Sequence, residues 1–320
     1  MRILTVALIQ MCPKPYALKE NLCLALKLAK DSLKKGANLV VFHELFDSGY
    51  CISPHDSDFA MDFTKPQKHA TFKALSAFAK ENAVHIVACG IEKSNKKLYD
   101  TAYIIAPSGK CVGKHRKIYL WGDEKSRFSS GKKYEVFSLD FGAFRVKVGL
   151  QICYEIGFGV GANILALQGA EILIYPSAFG AARAYNWDLL SRARAVENGC
   201  FVLACNHSGI ESVANSSLRG SNATEAIHKS QINSHFDAST NHIDCHDFLQ
   251  KSRNDKEMLE FAGDSRIISP KGTIIKKTTK LNEAIIAQIN LDEIYPQRKA
   301  IPYLKDFDTK LTKRSFGKST

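Results

Sequence analysis

Several things are missing from this chain, and each absence narrows the reading. Across its 320 residues no apolar run approaches the roughly 18 needed to span a bilayer, so no membrane-spanning helix is expected. No Cys-x-x-Cys pair occurs among its nine cysteines, at 12, 23, 51, 89, 111, 153, 200, 205 and 245, and their number is odd. That speaks against a disulfide framework or a zinc ribbon and for reduced, mostly buried thiols in a reducing compartment. The opening MRILTVALIQMCPKPY has a short apolar run but no small-residue cleavage site. Its alternation reads as a first strand rather than a signal peptide, and a cytoplasmic protein is expected. No RNP, zinc-finger or helix-turn-helix pattern accompanies the net charge of +12. The lysines are spread along the chain, with modest clusters at Lys96-Lys97, Lys132-Lys133 and Lys276-Lys277, so the charge reads as a solvated surface and no nucleic-acid partner is expected. No internal sequence repeat is found.

What is present is ordinary in bulk and ordered in pattern. Apolar residues make up 45% and charged residues 24%, which supplies both a sizeable core and a soluble surface. Strands are expected at 3–10, 38–42, 85–91 and 98–105, and helices at 18–35, with a stop at Gly36, and at 67–82 after Pro66. The second half continues the theme with strands at 144–152, 171–175 and 200–205 and helices at 159–168 and 184–197. A hairpin around Pro270-Lys271-Gly272 and a late strand at 284–290 follow. Strands and helices interleaved in this way predict an α/β layered fold. One stretch breaks the rhythm. From about 211 to 259 the chain is polar and weakly periodic, too long for a structureless loop inside a compact domain, and it reads as an insertion. Its His228, His235, His242, Cys245 and His246 match no familiar ligand spacing, so no metal site is expected there.

Three groups with base, cation and nucleophile chemistry lie at or close to strand-like runs, where α/β folds gather functional residues. Glu44 follows NLVVFH, Lys117 lies in GKHRKIYLWGDE, and Cys153 ends VKVGLQI. Taken singly, Cys153 reads as a buried structural thiol, Glu44 as a strand-end carboxylate and Lys117 as one of several cations in a solvated loop. Glu124 reads as a surface partner for Lys125 or Arg127. Taken together they read differently. A thiol becomes a nucleophile at neutral pH when a base can take its proton and a cation can hold the charge. A glutamate can do the first, and a lysine ammonium can also stabilise an oxyanion.

FHELFDSGY, HRKIYLWGDE and GLQICYE, in this order and spacing, resemble the three signatures of the nitrilase superfamily of carbon–nitrogen hydrolases. GAEILIYPSAF with the later RARAVENGCFVLACNHSG, and FAGDSRIISPKGTII, are similar to that family too. The resemblance covers essentially the whole chain apart from the insertion. It implies one domain over 1–320, with the insertion at about 211–259 and a basic tail at about 303–320, folded as a four-layer α-β-β-α sandwich. It implies a triad in which Glu44 is the general base, Lys117 rather than its neighbour Lys114 is the cation, and Cys153 is the nucleophile. Glu124 would lie beside the triad and position lysine or substrate. The backbone N–H of Tyr154 would help hold the oxyanion, and Tyr50 and Phe179 would line the pocket.

The implied activity is hydrolysis of a small linear amide or N-carbamoyl compound through a cysteine thioester, with release of ammonia or an amine and no metal or organic cofactor. The same triad would serve a nitrilase or an N-acyltransferase, and a catalytically silent binding member is a further alternative. Cys-Tyr-Glu rather than Cys-Trp-Glu favours amides. The implied partners are the small-molecule substrate, water, and further copies of the chain in a homodimer or a larger even-numbered assembly, paired through helices near Arg194 and Glu197. One departure stands out. Many members carry Asp-x-Arg-Phe-Pro-Glu after the Cys-Tyr pair, whereas here the run is Glu155-Ile156-Gly157-Phe158-Gly159-Val160, so no arginine-to-substrate contact is carried over from that loop.

Overall fold

The computed structural model describes residues 1–212 and 258–308, so the four histidines and one cysteine named in the expected insertion and the tail from 309 onward lie outside the described residues. In chain order the elements are β1 (Ile3–Gln10), α1 (Leu18–Leu33), β2 (Leu39–Phe42), α2 (Ala70–Asn82), β3 (His85–Ser94), β4 (Lys97–Ile105), β5 (Cys111–Arg116) and α3 (Glu124–Arg127). The second half contributes β6 (Val136–Asp140), β7 (Arg145–Leu150), α4 (Gly159–Leu167), β8 (Ile172–Ser177), α5 (Ala184–Asn198), β9 (Phe201–Asn206), β10 (Ser208–Ser212), β11 (Met258–Ala262), β12 (Arg266–Ile268), β13 (Ile274–Lys277), β14 (Glu283–Asn290), α6 (Ile294–Ala300) and α7 (Tyr303–Asp306).

Two six-stranded sheets form, in the orders β14-β1-β2-β3-β4-β5 and β13-β12-β9-β8-β7-β6. In each, three parallel central strands (β1-β2-β3 and β7-β8-β9) are flanked by antiparallel ones. The apolar runs of the central strands, buried on both faces, explain the layering. On β1, Leu4, Val6 and Leu8 face the second sheet, while Ala7 and Ile9 face Ala25 and Ala29 of α1 and Phe72 and Leu75 of α2. The second sheet is covered on its outer side by Leu165 of α4 and Trp187 and Ala195 of α5. The result is the α-β-β-α sandwich that the sequence predicts. Strands covered on both faces need apolar residues at nearly every position, and β2 (LVVF) and β8 (ILIYPS) are buried throughout. Each fully buried Val, Leu or Ile contributes about 1.5–3 kcal/mol relative to exposure.

Three local differences from the sequence expectation have a common cause. Strands β5 (CVGKHR) and β6 (VFSLD) are not among the expected strands, and both lie at sheet edges, where one face and one side remain open to polar residues. The polar stretch expected from 211 to 259 has strand at both described ends, because β10 and β11 pair antiparallel from Ser208↔Ala262 to Ser212↔Met258. The ribbon begins two residues after the end of β9, the last parallel strand, and meets the loop after β8 through the Gly180↔Phe261 bridge and the loop after β2 through Glu211. Among the described residues no helix is long and apolar enough to cross a membrane.

Candidate active site

The carboxyl ends of β2, β7 and β8 converge, and that convergence builds the site. β7 runs into a 3-10 turn, Cys153–Gly157, and Cys153 itself takes φ +46°. A non-glycine residue in the left-handed region is strained by about 1–3 kcal/mol and persists only where its surroundings over-determine it. Glu155 supplies much of that determination. Its Oε2 accepts from Ile152 N at 2.7 Å and lies 2.7 Å from His115 Nε2, while its Oε1 accepts from Ile118 N at 3.1 Å and Tyr134 OH at 3.2 Å. One fully buried carboxylate therefore ties the cysteine turn to the segment carrying Lys117. Arg194 adds a second tie by donating from Nε to Ile156 O at 2.8 Å, besides pairing with Glu197 along α5.

Lys117 follows the edge strand β5, yet its side chain is completely buried. Nζ donates to Glu44 Oε1 at 2.5 Å and to Glu124 Oε1 at 2.7 Å, and Asp100 Oδ2 lies 3.4 Å away. The second oxygen of Glu44 accepts from Ala178 N, just past β8, at 2.6 Å. Glu124 is fixed at its other oxygen by Trp121 N at 2.8 Å. Burial alone would discharge Lys117, but Glu124 and Glu44 outweigh it and hold the ammonium charged well above its ordinary range. Burial pushes the Glu44 carboxyl up to about 8, with Lys117 opposing and Asp100 reinforcing the rise. Burial, then the Glu44 charge, raise the Cys153 thiol well above its usual value against the pull of Lys117. The resting site thus holds a neutral thiol beside an ammonium shared by carboxylates.

The Gly49-Tyr50 pair of the first motif has a geometric reason. Gly49 has φ +83°, and a Cβ there would meet Pro15 Cα at 2.8 Å. The turn aims Tyr50 OH at Glu124 Oε1, 2.5 Å away. Glu211 clamps the same loop from β10, accepting from Tyr50 N at 2.9 Å and Cys51 N at 2.7 Å, and it lies 2.5 Å from His207 Nε2. Burial would raise Glu211, but His207 and these two N–H groups pull its carboxyl below the usual range.

Aromatic rings form the mouth. Tyr154 meets Trp121 edge-on at 4.8 Å, Tyr119 stacks on Phe158 at 3.7 Å, and Arg183 lies 4.0 Å over Trp121 and 5.5 Å from the Phe179 ring centre. A groove of about 470 Å³ runs along this wall between Tyr119, Leu120, Lys125, Phe128, Tyr154 and Phe158.

The structure brings Glu44, Lys117, Glu124 and Tyr50 into one hydrogen-bonded cluster, with Cys153 close enough for all three charges to act on it. Phe179 follows Ala178, whose N–H donates to Glu44, and Tyr154 follows Cys153. Sequence reasoning does not pick out Asp100, Glu155 or Glu211. Glu155 is visible only as a departure from the family's loop, and Glu211 as the first residue of a polar run. The oxygens of Glu44, Asp100 and Glu124 lie within 4.8 Å of one another, a spacing that could hold a cation, and the Lys117 ammonium occupies that position.

Residues 5–299 match the family model described as carbon-nitrogen hydrolase. The chain is 27% identical over 297 residues to the omega-amidase NIT2 of Mus musculus, covering 89% of this chain and 88% of that protein. Among solved structures, Saccharomyces cerevisiae Nit3, a nitrilase-superfamily member, superposes with TM-score 0.73 at 25% identity, with 97% of each chain covered. The carbon-nitrogen hydrolase of Helicobacter pylori G27 superposes with TM-score 0.77 at 23% identity, with 98% of each chain covered.

Proposed function

Because the chain belongs to the carbon–nitrogen hydrolases of the nitrilase superfamily, we propose that it hydrolyses a small linear amide or N-carbamoyl compound with Cys153 as nucleophile, Glu44 as general base and Lys117 as the cation. The observation that carries this reading is the Lys117 ammonium held between Glu44 and Glu124 at 2.5 and 2.7 Å, beside a thiol on a strained turn. Cys153 Sγ attacks the carbonyl carbon as Glu44 takes the thiol proton. The oxyanion that forms is held by Lys117 and the backbone N–H of Tyr154. The C–N bond then breaks, Glu44 returns the proton to the leaving nitrogen, and ammonia or an amine departs from a thioester. Water attacks the thioester with Glu44 again as base, giving the carboxylic acid and the free thiol. Glu124, fixed by Tyr50 and Trp121 N, keeps Lys117 in place. Tyr50 and Phe179 line the acyl site. The chemistry needs no metal or organic cofactor. That the mouse relative is an omega-amidase supports an amide over a nitrile.

The same reading includes pairing with further copies of the chain. Val160, Ile164 and Leu167 of α4, spaced i, i+4, i+7, stay exposed, as do Tyr185 and Leu189 of α5. Light scattering behind size exclusion is expected to give an even-numbered assembly that Leu189→Glu weakens, and a monomer for the parent protein would refute this pairing.

The activity is tested by intact-mass spectrometry of the parent and Cys153→Ala after brief exposure to a panel of small amides, carbamoyl compounds and nitriles, with ammonia followed in parallel. The expected result is a mass adduct and ammonia release in the parent only, the adduct mass reporting the acyl group. No adduct, no ammonia and no selective alkylation of Cys153 by iodoacetamide would reject it.

A further inference from the structure

One buried carboxyl in the site has no part in the chemistry above. Asp100, on β4, is fully buried, and its Oδ1 accepts from the Cys89 thiol on β3 at 3.2 Å. Its Oδ2 lies 3.4 Å from Lys117 Nζ but without hydrogen-bond geometry to it. Were Asp100, Glu44 and Glu124 all ionised around one ammonium, the dry cluster would carry two excess negative charges. Carboxylates this close in a buried site do not all ionise, so the cluster keeps a proton.

The hydrogen bonds indicate where that proton sits. Both oxygens of Glu44 already accept, from Lys117 and from Ala178 N. Glu124 accepts from Lys117 and Tyr50 at one oxygen and from Trp121 N at the other. Asp100 Oδ2 is the carboxylate oxygen of the three that no donor reaches. It is therefore the atom where a proton displaces no existing hydrogen bond, and an Asp100 oxygen lies within 4.8 Å of one of Glu44.

We propose that Asp100 is the neutral member of this cluster at working pH, that it donates its proton to Glu44, and that its neutrality leaves the third N–H of Lys117 free for the reacting thiol and oxyanion. An ammonium has three donors, and two are already committed to Glu44 and Glu124. An ionised Asp100 would capture the third. Asp100 would thus be a positioning residue, acting through Lys117 and Glu44, and the inference rests on those two having the roles given above. The titratable groups around the pair are Cys89 from β3, Glu44 and Tyr50 from the segment after β2, Lys117 after β5, Glu124 from α3 and Cys153 after β7. Burial raises both Asp100 and Glu44 against the pull of Lys117, which favours a shared proton on the pair.

Infrared difference spectra over a pH titration read the carbonyl stretch of a neutral carboxylic acid without substrate. The band is expected to persist through neutral pH in the parent, to vanish in Asp100→Asn and to survive in Glu44→Gln. Loss in Glu44→Gln with survival in Asp100→Asn would overturn the proposal, since the proton would then belong to Glu44. Kinetics give an independent reading. Asp100→Asn keeps a donor toward Glu44 and cannot ionise, so its kcat/KM near neutral pH should stay within about fivefold of the parent while the alkaline limb disappears. Asp100→Leu removes the donor and should lose at least about 100-fold. An Asn variant as inactive as the Leu variant, or one that keeps the alkaline limb, would also overturn it. If Asp100→Leu fails to fold by thermal melting, the Asn profile and the infrared band still decide. A wrong catalytic reading would look different, with no ammonia released by the parent from any substrate while the infrared pattern holds.

Discussion

Arg116 and Lys117 are adjacent in the chain and sit in opposite electrostatic surroundings. Arg116 reaches Glu92 with Nη2 at 2.6 Å and Nε at 2.9 Å, stacks 3.8 Å over Tyr99, and shares Glu92 with Lys114 at 2.5 Å. That cluster has two cations, about one-third exposed, on one carboxylate. The Lys117 cluster has three carboxylates on one fully buried cation. Burial would raise Glu92, but Arg116 and Lys114 outweigh it and hold it below the usual carboxylate range. Glu44 goes the other way, up to about 8. The difference shows that the ratio of charges, together with exposure, decides whether a carboxylate is locked as an anion or left able to carry a proton. It also separates Lys117 from Lys114, a choice that charge alone leaves open in the sequence.

The largest effect should come from removing the buried cation. Lys117→Met leaves carboxylates uncompensated in a dry site, so a loss of about 3–5 kcal/mol in denaturant unfolding is expected. Amide turnover should fall by roughly a thousandfold. Near-parental turnover would break the contrast with Arg116. Next, Glu44→Gln should lower kcat/KM by about 10²–10⁴, while the melting temperature holds or rises because a raised carboxyl is being replaced by a neutral amide. A folded variant with parental kcat/KM would remove Glu44 from the chemistry.

Acid and alkali should act oppositely on the two clusters. Glu92 is depressed in the folded state, so its contribution to stability is present above the ordinary carboxylate range and lost as pH falls through its folded value. Glu44 is raised, so its contribution is present at low pH and lost between about 4.5 and about 8 as pH rises. Melting curves of Glu92→Gln and Glu44→Gln against the parent should therefore diverge at opposite ends of the pH range. Parallel curves would show that the charge ratio does not govern them. The smallest effect is expected at Arg116→Ala, about 1 kcal/mol or less with turnover unchanged, because its pairing is partly solvated. A large loss of activity there would mean that the two clusters are coupled.

Much of the fold was legible. The near-continuous apolar runs of β1, β2, β8 and β9 reflect burial on both faces, a local pattern that the sequence carries openly. The edge strands β5 and β6 were not, because an edge tolerates the polar residues that hide a strand. In the site, Glu44, Lys117, Cys153 and Glu124 were reachable through their motifs. Glu211 was not, since a glutamate opening a polar run looks solvated until β10 and β11 pair and carry it under the Tyr50 loop. Glu155 could have been suspected as a departure from the family pattern, but its role in tying Ile152 to Ile118 depends on two segments more than 30 residues apart.

By itself, then, the sequence determined the layered α/β architecture, the family and the candidate residues Glu44, Lys117 and Cys153, because periodicity and short motifs are local properties. Only the tertiary structure decided their charge states. Residues 44, 100, 117, 124 and 153 come from five separate segments, and desolvation with proximity sets where each proton rests. Neither quantity exists until the sheets close on one another.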